Sequence, residues 1–128
     1  MSQFNATGSK AFPAGATGLL RYQRVKLNTS GQVVAAGADE AAIGFVDGFV
    51  GAQADIAIGD SITVRLLTST GTFKAIAATA ITVGATLYGG ADGKVTATDG
   101  GSYTGRFLAL EAGSGDGSIV EVLPITLG

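Results

Sequence analysis

The stretch Thr79–Val95, TAITVGATLYGGADGKV, decides how the chain is read. Ile81 and Val83 flank Thr82, the period-two alternation of a half-buried strand. Gly84 then permits a bend that a side chain would resist. Thr86–Tyr88 is β-branched and aromatic, a composition that strands favour. Asp92-Gly93 is a hairpin signal, because a type I′ turn requires positive φ at both central residues. Lys94-Val95 begins the return strand, which Thr96 continues. The stretch therefore predicts strand, bend, strand, turn and strand, and it carries no reaction centre.

Working outward, the same pattern of short strands and Gly-rich turns continues. Ser61–Leu67 (SITVRLL) is the cleanest alternation, with Ile62, Val64 and Leu66 on one face. Ile43–Val50 (IGFVDGFV) is apolar and interrupted by Gly44 and Gly48, which predicts a bent strand or a bulge. Leu19–Leu27, Gln32–Ala36 and Thr72–Ile76 are further strand candidates. On the C-terminal side, Tyr103–Ala112 and Ser118–Leu127 read as strands joined by the loop Gly113–Gly117. Pro124 is expected at an edge or a bulge, since it cannot donate to a ladder. Met1–Gly18 lacks periodicity and reads as an extended N-terminal arm, leaving 19–128 as a single β domain.

The two halves resemble each other at a period of about 60 residues. Val25–Val33 (VKLNTSGQV) matches Leu87–Val95 (LYGGADGKV), and Ile43-Gly44-Phe45 matches Thr104-Gly105-Arg106-Phe107. Gly59-Asp60-Ser61-Ile62 matches Gly115–Ile119 with Gly117 inserted. The expected fold is all-β: a compact β-sandwich or small β-barrel built from two related β-meanders.

Composition narrows the function. Charged residues are 14% of the chain, against roughly 25% in ordinary globular domains, which suits a surface hidden against partners. Net charge is −2, against a general nucleic-acid binder. Residues 1–38 hold Lys10, Arg21, Arg24 and Lys26 and no acid, so these four are the candidates for meeting an acidic partner. No apolar run reaches the roughly 20 residues of a membrane helix, and the N-terminus has no signal-peptide core, so synthesis in a cytoplasm is expected. The absence of His and Cys removes Ser–His and Cys–His nucleophile arrangements. Gly113–Gly117 lacks the Lys and helix of a phosphate loop, and Asp92, Asp99 and Asp116 lack calcium-loop spacing. No enzyme activity, cofactor or metal is expected.

Three segments in order, GDSITVRL, AITVGATLYGGADGKVTAT and GRFLALEAGSGDGSIVEVLP, resemble the capsid decoration (cement) proteins of tailed bacteriophages, across Ile58–Leu67 and Ala80–Leu123. The resemblance implies a compact, non-catalytic β protein on the outer surface of the virion. It also implies the major capsid protein as partner, and frequently a homotrimer at three-fold positions. The chain departs from that pattern in its longer N-terminal half. The alternative is a β-sandwich ligand-binding or adhesion module of a phage tail or cell surface.

In the last strand, Val120 and Val122 are assigned to the core. Ile119, Leu123, Ile125 and Leu127 fall on the opposite face, broken by Glu121. A strand apolar on both faces must be covered on both, so these four residues are the candidate subunit interface, with a trimer favoured.

Overall fold

The computed structural model describes residues 8–38, 40–49, 56–99 and 106–126. They form ten strands: β1 (Ser9–Pro13), β2 (Arg24–Leu27), β3 (Val33–Ala35), β4 (Gly44–Phe49), β5 (Ser61–Leu66), β6 (Phe73–Ile76), β7 (Thr86–Gly89), β8 (Val95–Thr96), β9 (Arg106–Ala109) and β10 (Ile119–Thr126). The fold is all-β, as the alternation and turn chemistry predict. Among the described residues the one helical turn is Ala91–Gly93, inside a hairpin loop.

The ten strands divide into two antiparallel sheets of identical connectivity. The first runs β1-β5-β4-β2-β3 and the second β6-β10-β9-β7-β8. Each sheet curls until its edges touch. A parallel bridge joins Ala14 to Val33 in the first unit, and Ala77 to Val95 in the second. Even the loop hydrogen bonds recur: Gly59 N donates to Ala14 O, and Gly117 N to Ala77 O, both at 2.8 Å. The repeat read from the sequence is thus a structural duplication.

Several local expectations hold. Asp92 (φ 56°) and Gly93 (φ 70°) take the positive φ that the hairpin demands. The ladder between β4 and β5 shifts between Val46 and Gly48, where a bulge was expected. The β10–β9 ladder shifts just beyond Pro124.

Others are corrected. The arm expected over 1–18 is, from Ser9 to Pro13, strand β1, paired along its whole length with β5. It lacks apolar alternation because its core-side positions are filled by Lys10, Phe12 and then Ala14. The strands therefore group as 9–66 and 73–126, instead of following an arm. Ile81–Val83 is not a strand: Ile81 makes one bridge to Gly113, and a turn at Gly84 (φ 83°) leaves Val83 outside. Of Leu19–Leu27, only Arg24–Leu27 is strand. Tyr22 takes positive φ (69°) and breaks the extended chain before it.

The register of β4 carries the largest consequence. Sequence matching aligns Phe45 with Phe107, but the ladders do not. Val25 pairs with Gly44, whereas its counterpart Leu87 pairs with Phe107. Gly44 therefore stands where Phe107 stands, and Phe45 where Leu108 stands. A one-residue slip reverses the face. Phe107 points into its own unit, whereas Phe45 points out of its own and into the neighbour's. A Cβ on Gly44 would lie 2.2 Å from the Arg65 carbonyl oxygen, too close for any side chain.

Two cores result. The first contains Ala14, Leu19, Val25, Val33, Val46, Ile56, Ile62 and Val64, all from the first unit. The second contains ten residues of the second unit together with Phe45 and Leu67 of the first. Phe45 packs against Phe73 (centroids 5.4 Å) and edge-on against Phe107 (5.6 Å). Phe45→Ala should thus cost about 3–5 kcal/mol of stability. A fall in the urea midpoint of that order, with cooperativity kept, checks it.

Candidate functional site

The two units are locked together by a buried cation. Arg24 on β2 is fully buried. Its Nε donates to Lys94 O (3.1 Å) and its Nη1 to Glu40 O (3.1 Å). Its Nη2 donates to Gly37 O and Gly90 O (both 3.0 Å). Two of these carbonyls belong to the β7–β8 hairpin of the second unit and two to the β3–β4 connection of the first. Gly89 must be glycine here, since a Cβ would sit 2.7 Å from the guanidinium. Beside it, Gln23 Nε2 donates to Asp92 O (2.7 Å) and Gly93 N donates to Ala36 O (2.7 Å).

A second feature is a cleft of about 410 Å³ at the junction. Tyr22, Asp47, Arg65, Lys74, Glu111 and Glu121 bring polar groups to its wall. Thr72 Oγ1 donates to Glu121 Oε2 (2.5 Å), and the Glu121 amide donates to Glu111 Oε1 (2.9 Å). Arg65 stacks over Phe73 at 4.3 Å and donates to the carbonyls of Thr70 and Thr72. The Tyr22 ring has Arg21 at 5.4 Å and Lys74 at 5.8 Å. Among the described residues, no three His, Cys, Asp or Glu side chains gather as metal ligands would.

The third feature is the outer face of the second sheet. Val120 and Val122 are fully buried, while Ile119 (45% exposed), Leu123 (36%) and Ile125 (51%) stand on the other side of β10. Leu123 pairs with Leu108 on β9, and exposed Leu110 follows just beyond the end of that strand. The alternation within β10 places these apolar side chains together outside both cores. Leu127 lies outside the described residues.

The four basic candidates do not act as a set. Arg24 is corrected from partner contact to internal lock: a side chain without exposure cannot touch another molecule. Lys26 is engaged with Glu40 (Nζ to Oε2, 2.6 Å). Arg21 is exposed and donates from Nε to Asp47 O (2.7 Å). Lys10 is half-buried on β1, its Nζ 5.9 Å from the Phe12 ring. Sequence reading missed Gln23, Tyr22 and Arg65 at the junction; the Gly89-Gly90 pair ahead of the Asp92-Gly93 turn was the available sign of a close approach. A scan against models of known protein families and a search of curated proteins both found no match.

Two predictions follow from the lock. Arg24→Met takes a donor from four carbonyls, of which Gly37 O and Lys94 O keep a backbone amide. At about 1–3 kcal/mol for a buried group left unsatisfied, unfolding free energy should fall by about 3 kcal/mol or more. Arg24→Lys should recover little, since an ammonium cannot fork to carbonyls on both sides; urea titration of both variants checks this. The second concerns acid. The hydrogen bond from Lys26, then that from the Gly37 amide (2.6 Å), hold the Glu40 carboxyl below its ordinary value of 4.5. A carboxyl lowered in the folded state contributes stability above that ordinary value and loses it as pH falls through the lowered one. Glu40→Gln should remove this part of the acid dependence. Stability measured against pH below 4.5 should be flatter in the variant than in the wild type.

Proposed function

We propose that this chain is a structural virion protein. It binds the outer surface of a tailed-phage capsid and stabilises the shell by cementing neighbouring capsomers. The observation that carries this reading is the apolar outer face of β9 and β10. Monomeric soluble proteins rarely leave large apolar patches open, and Ile119, Leu123 and Ile125 are exposed on this side of the second sheet, with Glu121 between the first two. The ordered resemblance of the three quoted segments to decoration proteins gives the patch its partner. Cementing is mass action: each contact made only with the assembled shell favours that shell over its separated parts. Of the basic candidates, exposed Arg21 and half-buried Lys10 are the ones this reading assigns to an acidic shell surface.

Burying one Leu or Ile is worth about 1.5–3 kcal/mol, roughly tenfold to a hundredfold in affinity. Leu123→Asp should weaken co-sedimentation with shells of the encoding phage by at least that factor. Gold-labelled antibody to the chain should decorate the capsid of intact virions. Label confined to the tail would instead favour the second reading, a ligand-binding or adhesion module. The cleft beside Tyr22 is the observation in favour of that reading. Absence from purified particles would defeat the capsid reading and the tail form of the second, leaving only its cell-surface form.

A further inference from the structure

The cleft at the junction belongs to neither unit alone. Tyr22, Asp47 and Arg65 reach it from the first unit, and Lys74, Glu111 and Glu121 from the second. Part of its wall is fixed. Arg65 is held by the Thr70 and Thr72 carbonyls and lies over Phe73, and Glu121 is held by Thr72 Oγ1. Another part is unspent. Among the described residues, no hydrogen bond or ion pair engages the Tyr22 hydroxyl, the Asp47 carboxylate or the Lys74 ammonium. Tyr22 also stands at φ 69°, where glycine is at ease and a bulky side chain is not. Strain of this kind concentrates where a side chain is put to use, and here it places an aromatic ring in the cleft wall.

We infer that this cleft binds a short, uncharged saccharide. Its volume, about 410 Å³, lies within the usual range of small-ligand clefts. The charges of the wall select the class of ligand. The carboxylates of Asp47, Glu111 and Glu121 stand beside the cations of Arg65 and Lys74. An anion would meet the carboxylates, and a cation would meet Arg65 and Lys74. Hydroxyl groups suit both, because each donates one hydrogen bond and accepts others. They donate to Asp47 and Glu111 and accept from Lys74 and the Tyr22 hydroxyl. The C–H face of a sugar ring lies on the Tyr22 ring, whose present neighbours are Arg21 at 5.4 Å and Lys74 at 5.8 Å. A cation–π contact at an exposed site is weak, so the Lys74 ammonium turns from the ring to a hydroxyl. The parts of the wall already held in place lower the cost of ordering the site. The inference rests on the second reading above, whose ligand it names, and is independent of the capsid.

The test is titration of the purified full chain with maltotriose, cellotriose, lactose and triacetylchitotriose, followed by amide NMR spectra. Spermidine and inorganic phosphate serve as cationic and anionic probes. At least one sugar should give saturable shifts at Tyr22, Asp47, Lys74 and Glu121, and neither charged probe should. Lys74→Met and Tyr22→Gly should each weaken binding of that sugar about tenfold, the loss of one good contact. Glycine takes the φ of position 22 without strain, and Lys74 is exposed, so both variants should keep the wild-type spectrum away from the cleft. If Tyr22→Gly does not fold, Lys74→Met decides alone. A folded variant that binds the sugar as tightly as wild type would overturn the inference. Shifts with spermidine or phosphate in place of the sugars would also overturn it, while leaving the cleft a ligand site and the second reading intact. No shift with any probe would overturn the inference and take from the second reading its supporting cleft.

Discussion

A guanidinium leaves water only if its N–H groups find acceptors and its surroundings are held still. Arg24 meets that condition with carbonyls from two segments that are far apart in the chain. Gly37 and Glu40 approach from the first unit, Gly90 and Lys94 from the second. The geometry can form only when both units are folded and docked. Gly89 and Gly93 give the hairpin room to approach, and Glu40, held by Lys26 and Gly37, fixes the opposite wall. The cation ties the two units in one arrangement, beside the apolar contacts of Phe45 and Leu67.

The apolar part of the junction works from a different rule. The second core is incomplete without Phe45 and Leu67, so the first unit contributes to a core that is otherwise its neighbour's. This asymmetry explains why two units of one topology have different surfaces. The ladder positions that hold Phe45 and Arg65 in the first are spent on the internal junction. Their counterparts in the second are Leu108 and Leu123, and Leu123 is exposed.

The polar cleft is a consequence of the same docking. Tyr22, forced to positive φ at the entry to β2, and Arg65, stacked on Phe73, line the gap where two curved sheets fail to meet. Glu121 is held by Thr72 Oγ1, Glu111 by the Glu121 amide and Arg65 by the Thr70 and Thr72 carbonyls, which keeps the junction aligned.

Much of this was legible in the sequence. Period-two alternation named β5 and the inward and outward faces of β10, and Asp92-Gly93 named its hairpin, because these signals are local. The duplication was legible for the same reason, as similar turns recur at similar spacing. Strand β1 was not, because Lys10 and Pro13 hide its alternation and only pairing with β5 reveals it. The alignment of Phe45 with Phe107 was wrong because similarity counts residues, while a sheet assigns faces by register. The role of Arg24 was invisible from its neighbours in the chain. A charged residue in a basic N-terminal segment reads as surface, and only carbonyls arriving from the other unit make it interior. The sequence by itself determined the class of fold, its repeat and the apolar outer face of β10. The tertiary structure decided which face of each strand meets the other unit, because register and long-range packing are properties of pairs of segments.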